Sequence, residues 1–173
     1  MVRDHEALLA RLVEEVDWTS HMRSRRTASM GVPYNYAGAS YPVSAWHPAV
    51  AILRDTLPLG FTATNCLLNL YPTGQHSLGF HADDVSILEP GTDIAILSLG
   101  ATRPLRLRTG DAVSGFRYED LPLPGGSLLL MSQPMQAHWR HALRRVPDTG
   151  ARLSLSFRHI VRWPDTPPEV PAR

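Results

Sequence analysis

The strongest restriction on this chain is a change of texture at Gly60. Beyond it the sequence breaks into short runs, Thr64–Tyr71, Asp93–Leu99, Arg103–Arg108, Ser127–Met131 and Arg152–Val161, separated by Pro, Gly and Asp. Runs of this length bounded by turn residues read as β-strands. Before Gly60 the pattern is different. Leu8, Leu9, Leu12, Val13 and Val16 recur at three- and four-residue spacing, which predicts an amphipathic helix over Asp4–Val16. A second helix is expected over Pro48–Thr56, with Pro48 in its first turn and Pro58 as its stop. Ser20–Tyr41 lacks helical period and reads as surface loops and short strands. A helical start followed by several strands gives an α+β domain built round an antiparallel sandwich or jelly roll.

With 173 residues the chain can bury one substantial core, so a single domain over residues 1–163 is expected. The proline-rich segment 164–173 reads as a disordered tail. No apolar run approaches the roughly 20 residues that cross a bilayer. Met1–Val16 is charged and amphipathic, unlike a signal sequence, so the expectation is a cytosolic, monomeric protein with no membrane partner. The lone Cys66 lies among apolar residues and reads as a buried thiol. A net charge of +1 does not announce a nucleic-acid binder. Every basic residue is arginine, a bias better explained by base composition of the gene than by phosphate binding.

The chemistry concentrates in three places. In Gly79-Phe80-His81-Ala82-Asp83 the histidine and aspartate are two residues apart, so in an extended segment both leave one face and can converge on one ion. A third ligand is available downstream, where Ala137-His138-Trp139-Arg140-His141 offers two histidines. Two imidazoles and one carboxylate on one side of an ion form the facial arrangement of Fe(II) oxygenases, with positions left open for co-substrate and O2. His-x-Asp by itself is weak, because such pairs are commonly solvated. The last strand adds weight: in Arg152-Leu153-Ser154-Leu155-Ser156-Phe157-Arg158, alternation puts both guanidinium groups and both serines on one face. That row faces either solvent or something anionic. Asn69 and Tyr71, which share a strand face just upstream of the His–Asp pair, could complete a carboxylate site.

In order and spacing, Asn65–Tyr71, His81-Ala82-Asp83-Asp84, Ile94–Gly100, Gly126–Met131, His138-Trp139-Arg140-His141 and Arg152–Arg158 resemble the AlkB dioxygenases, and the resemblance covers nearly the whole chain. It implies a double-stranded β-helix (jelly-roll) core with N-terminal helices and a substrate-recognition lid at about residues 22–45. His81, Asp83 and His141 would hold Fe(II), with His138 as a structural neighbour. Asn69, Tyr71, Arg152, Ser154 and Arg158 would hold 2-oxoglutarate, Arg152 with Tyr71 on the distal carboxylate and Arg158 with Asn69 near the iron. Tyr34 and Tyr36 in the lid would stack on a flipped base, and Asp84 would stand near it. The implied reaction consumes O2 and removes alkyl groups from bases of single- or double-stranded DNA or RNA, leaving succinate, CO2 and an aldehyde. Arg23, Arg25, Arg26, Arg140, Arg144 and Arg145 are candidates for a phosphate-binding rim.

Two departures bear on substrate. Val85 stands where many relatives carry an acid, removing an anion that would help hold a cationic methylated base. Ser154 replaces an asparagine, with loss of a hydrogen bond. A hydroxylase or demethylase of a protein, lipid or small metabolite, using the same iron and co-substrate, is therefore the alternative. A binding module on an inactive oxygenase fold is a further one, disfavoured by the intact ligand set. A nucleophilic hydrolase finds no support, since Ser127 lacks the flanking pattern of a nucleophile elbow. A zinc hydrolase would leave the paired arginines without a role.

Overall fold

The computed structural model describes residues 2–19, 24–36 and 39–162. Its elements follow in the order α1 (His5–Glu15), β1 (Arg26–Gly31), β2 (Tyr34–Tyr36), β3 (Ala39–Tyr41), α2 (Pro48–Thr56), β4 (Asn65–Tyr71), β5 (Leu78–His81), β6 (Ile94–Gly100), β7 (Arg103–Asp111), β8 (Gly115–Leu123), β9 (Leu128–Met131), α3 (Gln133–His138), β10 (Arg140–Leu143) and β11 (Arg152–Arg158). A five-stranded major sheet runs β1-β4-β11-β6-β9, a four-stranded minor sheet runs β5-β10-β7-β8, and β2 and β3 pair as a small ribbon. The pairings are antiparallel.

Strand alternation explains the layering. In β11 the residues Leu153, Leu155 and Phe157 join Cys66, Leu68 and Leu70 of β4 and Ala95, Leu97 and Leu99 of β6 in one core, closed over by Leu12 and Val16 of the first helical segment and Val50 and Leu53 of α2. The intervening residues point the other way, between the two sheets. There Leu67, Ile94, Ile96 and Met131 of the major sheet meet Leu105 and Leu123 of the minor sheet. Both faces of the major sheet are thus covered, and every residue of β4 and β11 is buried. The polar row on β11 does not face solvent.

The apolar stripe of α1 packs as its periodicity predicts, with Leu12 fully buried and Leu8, Leu9 and Val13 against the core. Helix α2 has the expected bounds. The His47 ring accepts from the Ala49 backbone N–H at 3.2 Å, and Pro48 occupies the first turn, where its missing N–H costs nothing. Two expectations are corrected, and β8 is a strand that was not expected. Ser20–Tyr41 is not merely surface: β1 is a member of the major sheet, buried over all but its first residue, because its Ala28 and Met30 reach the helix-covered core. The last strand stops at Arg158, and Ile160 pairs only as an isolated bridge with Leu88. Strand β8 escaped the sequence pattern because it is exposed almost throughout and has no apolar face to show. Residues 20–23, 37–38 and the proposed tail lie outside the described residues. No described helix is long and apolar enough to cross a membrane.

Candidate metal centre

The end of β5 and the middle of β10 bring the two histidines together, since His81 and His141 are direct cross-strand partners. Their ring centroids are 4.1 Å apart. Asp83 follows β5 by two residues, and its carboxylate turns back to the same point, with His81 Nε2 to Asp83 Oδ1 at 3.6 Å. One ligand atom from each of the three residues lies within 4.8 Å of the others. His138 is exposed at the end of α3, so the histidine brought into this cluster is His141.

The protonation states suit a cation. His81 Nδ1 lies 3.0 Å from the Gly79 carbonyl, which can only accept, so that nitrogen carries the hydrogen and Nε2 keeps its lone pair. Burial lowers the pKa of His81. Burial, with the neighbouring His81 charge, pushes His141 down to about 4, so the imidazole is neutral at pH 7. Burial alone would raise Asp83, but the Arg158 guanidinium and the two histidines hold it below the usual carboxylate range. Two neutral imidazoles and an ionised carboxylate, aimed at one point, fit Fe(II).

Asp83 is held by two further groups. Arg158 Nη2 donates to Oδ2 at 2.7 Å, both side chains being buried. The backbone N–H of Asp83 donates to Gln136 Oε1 at 3.0 Å. Gln136 is buried on α3 and was missed in the sequence, where a single turn of helix gives no periodic signal.

The polar row of β11 lies beside this cluster. Arg152 pairs across the sheet with Tyr71 and Ser154 with Asn69, so the four face the inter-sheet space together. Arg152 donates from Nη2 to Ser98 Oγ at 2.9 Å, while its Nε is buried with no hydrogen-bond partner. Burial brings Arg152 down to about 10, because no carboxylate offsets its loss of water. Arg158 also loses water, yet the Asp83 carboxylate carries it above the ordinary value. Asn69 Oδ1 accepts from Arg25 Nε at 2.7 Å. Arg25 is buried at 4% exposure and belongs to this inner layer, not to a surface rim. Arg26, Arg140, Arg144 and Arg145 are exposed, and Arg23 lies outside the described residues.

Arg103 was also missed. It is fully buried, and its Nη2 donates to the His76 and Arg144 carbonyls. Its guanidinium carbon lies 5.7 Å from the Tyr71 ring centroid, against 5.8 Å for Arg152. A signal existed: β7 alternates, and Arg103 falls in phase with the inward Leu105 and Leu107. The metal cluster, Asn69, Tyr71, Arg152, Ser154 and Arg158 line one small cavity of roughly 40 Å³ that opens to solvent. A buried guanidinium pair with donors to spare fits a dicarboxylate.

Tyr34 is buried, and its ring centroid lies 4.9 Å from the Arg158 guanidinium carbon, beside the site. The side chain of Tyr36 lies outside the described residues. Asp84 is exposed and accepts from the Ser86 N–H and hydroxyl at 2.9 and 2.6 Å, an Asx turn that fixes the loop after Asp83.

Antiparallel sheets closing over a two-histidine, one-carboxylate cluster with a cationic cradle beside it define a jelly-roll oxygenase of the facial-triad class. The comparisons agree. Residues 2–158 match the 2OG-Fe(II) oxygenase superfamily. The chain is 34% identical over 165 residues to human DNA oxidative demethylase ALKBH2, covering 88% of this chain and 62% of that one. It is 31% identical over 188 residues to human alpha-ketoglutarate-dependent dioxygenase alkB homolog 3, covering 95% and 64%. It therefore spans somewhat under two thirds of these relatives' length. The solved structure of OsALKBH1 superimposes with a TM-score of 0.61 at 19% identity over 90% of this chain and 92% of that one, which establishes the fold. This chain belongs to the 2OG-Fe(II) oxygenase superfamily, among its AlkB-type members.

Proposed function

We propose that the chain is an Fe(II)- and 2-oxoglutarate-dependent dioxygenase that removes alkyl groups from the nitrogens of nucleic-acid bases. The observation that carries this reading is the single cavity shared by His81, Asp83 and His141 with the buried Arg152 and Arg158. The substrate class is supported by its relatives, one of which is named a DNA oxidative demethylase. The catalytic unit would be residues 1–163, acting as a cytosolic monomer.

When bound, iron, the diacid and O2 would supply oxidative decarboxylation to succinate and CO2, one oxygen atom of O2 entering succinate and the other hydroxylating the N-alkyl carbon, whose product sheds an aldehyde. The chain's own residues set the stage for that chemistry. His81, Asp83 and His141 would hold the metal. Arg158 keeps Asp83 ionised and aimed, and Gln136 fixes its backbone. Arg152 and Tyr71 receive the distal carboxylate, with Asn69 and Ser154 alongside. Tyr34 would bound the space for the extruded base, where exclusion of water and exact placement of the target carbon set the rate. Asp84, exposed in the loop after Asp83, would stand near the base where Val85 offers no charge.

The test is mass spectrometry of oligonucleotides carrying 1-methyladenine, 3-methylcytosine or an etheno adduct, with Fe(II), ascorbate and 2-oxoglutarate. Loss of the adduct with equimolar succinate is expected. Asp83→Ala should abolish it and bind no iron. Full activity in that variant would refute the metal assignment, and succinate release stimulated only by non-nucleic-acid substrates would refute the substrate assignment.

A further inference from the structure

The outward face of the minor sheet carries charge and ring surface that the cavity does not use. His141 and Leu107 are cross-strand partners pointing inward, so their neighbours Arg140 and Arg108, also partners, point outward together. Like charges directly opposite each other on a sheet are destabilising. Among the described residues neither arginine has a carboxylate within ion-pair distance. The acid next along, Asp120, is already held by Arg106 through Nε at 2.7 Å. Instead, the Arg108 guanidinium carbon lies 4.4 Å from the Phe80 ring centroid and 4.5 Å from that of Phe116. Tyr118 is the partner of Arg108 on β8, with its ring 6.0 Å from Phe80 and 6.3 Å from Phe116. Phe116 is 40% exposed and Tyr118 50%.

Rings that stay in water beside unneutralised guanidinium groups are matched by a ligand that is planar, apolar on its faces and anionic along its length. A polynucleotide has all three properties: bases to stack on aromatic rings, and phosphates to neutralise arginines. Position supports the same occupant. Strand β5 is the edge of the minor sheet, and Phe80 immediately precedes His81, whose side chain is partly exposed at the cavity. A strand leaving the cavity opening crosses one sheet edge to reach Phe80.

We propose that this face docks the single-stranded flank of the nucleic-acid substrate, with Arg108 and Arg140 on phosphates and Phe116 and Tyr118 under bases. This rests on the nucleic-acid reading of the cavity and adds a second contact surface to it. Its contribution is affinity and orientation for longer strands, not chemistry.

The test uses the full chain and a fluorescein-labelled, unmodified dodecanucleotide, with affinity read by anisotropy over a salt series. Tyr118→Ala should weaken binding roughly tenfold, as expected for a lost base–aromatic stack, and Tyr118→Phe should retain it. Arg108→Gln should flatten the slope of log affinity against log salt by about 0.7, one phosphate contact on a single strand. In all three variants the KM for 2-oxoglutarate and turnover of a methylated mononucleotide, which carries no flanking strand, should stay at wild-type values. Equal dodecanucleotide affinity in wild type and variants would overturn the proposal. So would self-association of the wild type that Tyr118→Ala abolishes while oligonucleotide binding is unchanged, since the face would then join copies of the chain. A preserved difference in anisotropy without turnover of any methylated base would retire the dealkylase reading and leave the docking face standing.

Discussion

Replacing Arg152 with methionine should make the ligand-free protein more stable and the enzyme much worse. Arg152 is 2% exposed and, among the described residues, makes one side-chain hydrogen bond, to Ser98, and has no carboxylate partner. Its fall from the ordinary arginine value to about 10 has burial as its first cause, with the neighbouring Arg103 charge adding to it. At roughly 1.4 kcal/mol per tenfold change in acidity, the cost is about 3 kcal/mol. Because the folded-state value lies below the unfolded one, this penalty is present in full below about pH 10 and fades only as pH rises toward the unfolded value. Methionine removes it. Losing the Ser98 hydrogen bond gives back about 1 kcal/mol, leaving a net gain of roughly 2 kcal/mol, or about 4–8 °C in Tm for a chain of this size. Co-substrate binding moves oppositely. Charge-assisted hydrogen bonds worth roughly 1.5–3 kcal/mol disappear, so KM for 2-oxoglutarate should rise about 10- to 100-fold, with a smaller effect on kcat. Calorimetry without ligand and initial rates across a 2-oxoglutarate series measure both. A variant with lower Tm and unchanged KM would refute the reasoning, because Arg152 would then be structural and satisfied.

Gln136→Leu removes the acceptor for the Asp83 backbone N–H and should weaken metal binding or turnover by roughly tenfold, as loss of groups that orient metal ligands does; titration with Co(II) followed by visible absorbance reports it. Gly100→Ala forces a Cβ to within 2.4 Å of the Ala151 carbonyl at a φ of +80°, so it should destabilise by more than about 1 kcal/mol, seen as a lower urea midpoint.

Much of the fold and site is legible in the sequence. Helix α2 and the main strands followed from period, length and punctuation, since those signals arise from local backbone preference and one-sided burial. The pairing of His81 with Asp83 and the common face of Arg152, Ser154, Ser156 and Arg158 followed from the two-residue strand repeat. Which of His138 and His141 completes the cluster did not follow from the residues, and only the resemblance chose between them. The structure separates them physically: β10 places His141 opposite His81, whereas His138 ends α3 in solvent.

Alternation within a strand is a one-dimensional property, so the sequence by itself determined which side chains share a face. What that face meets depends on contacts between segments far apart in the chain, and these only the tertiary structure decided. It buried the β11 row where solvent was the competing reading, drew Arg25 and Arg103 inward, and tied Asp83 to Gln136. It also left β8, which has no apolar face to betray it, lying open beside Arg108. A guanidinium looks the same in sequence whether it is solvated, paired or stranded in a core; its surroundings set its chemistry.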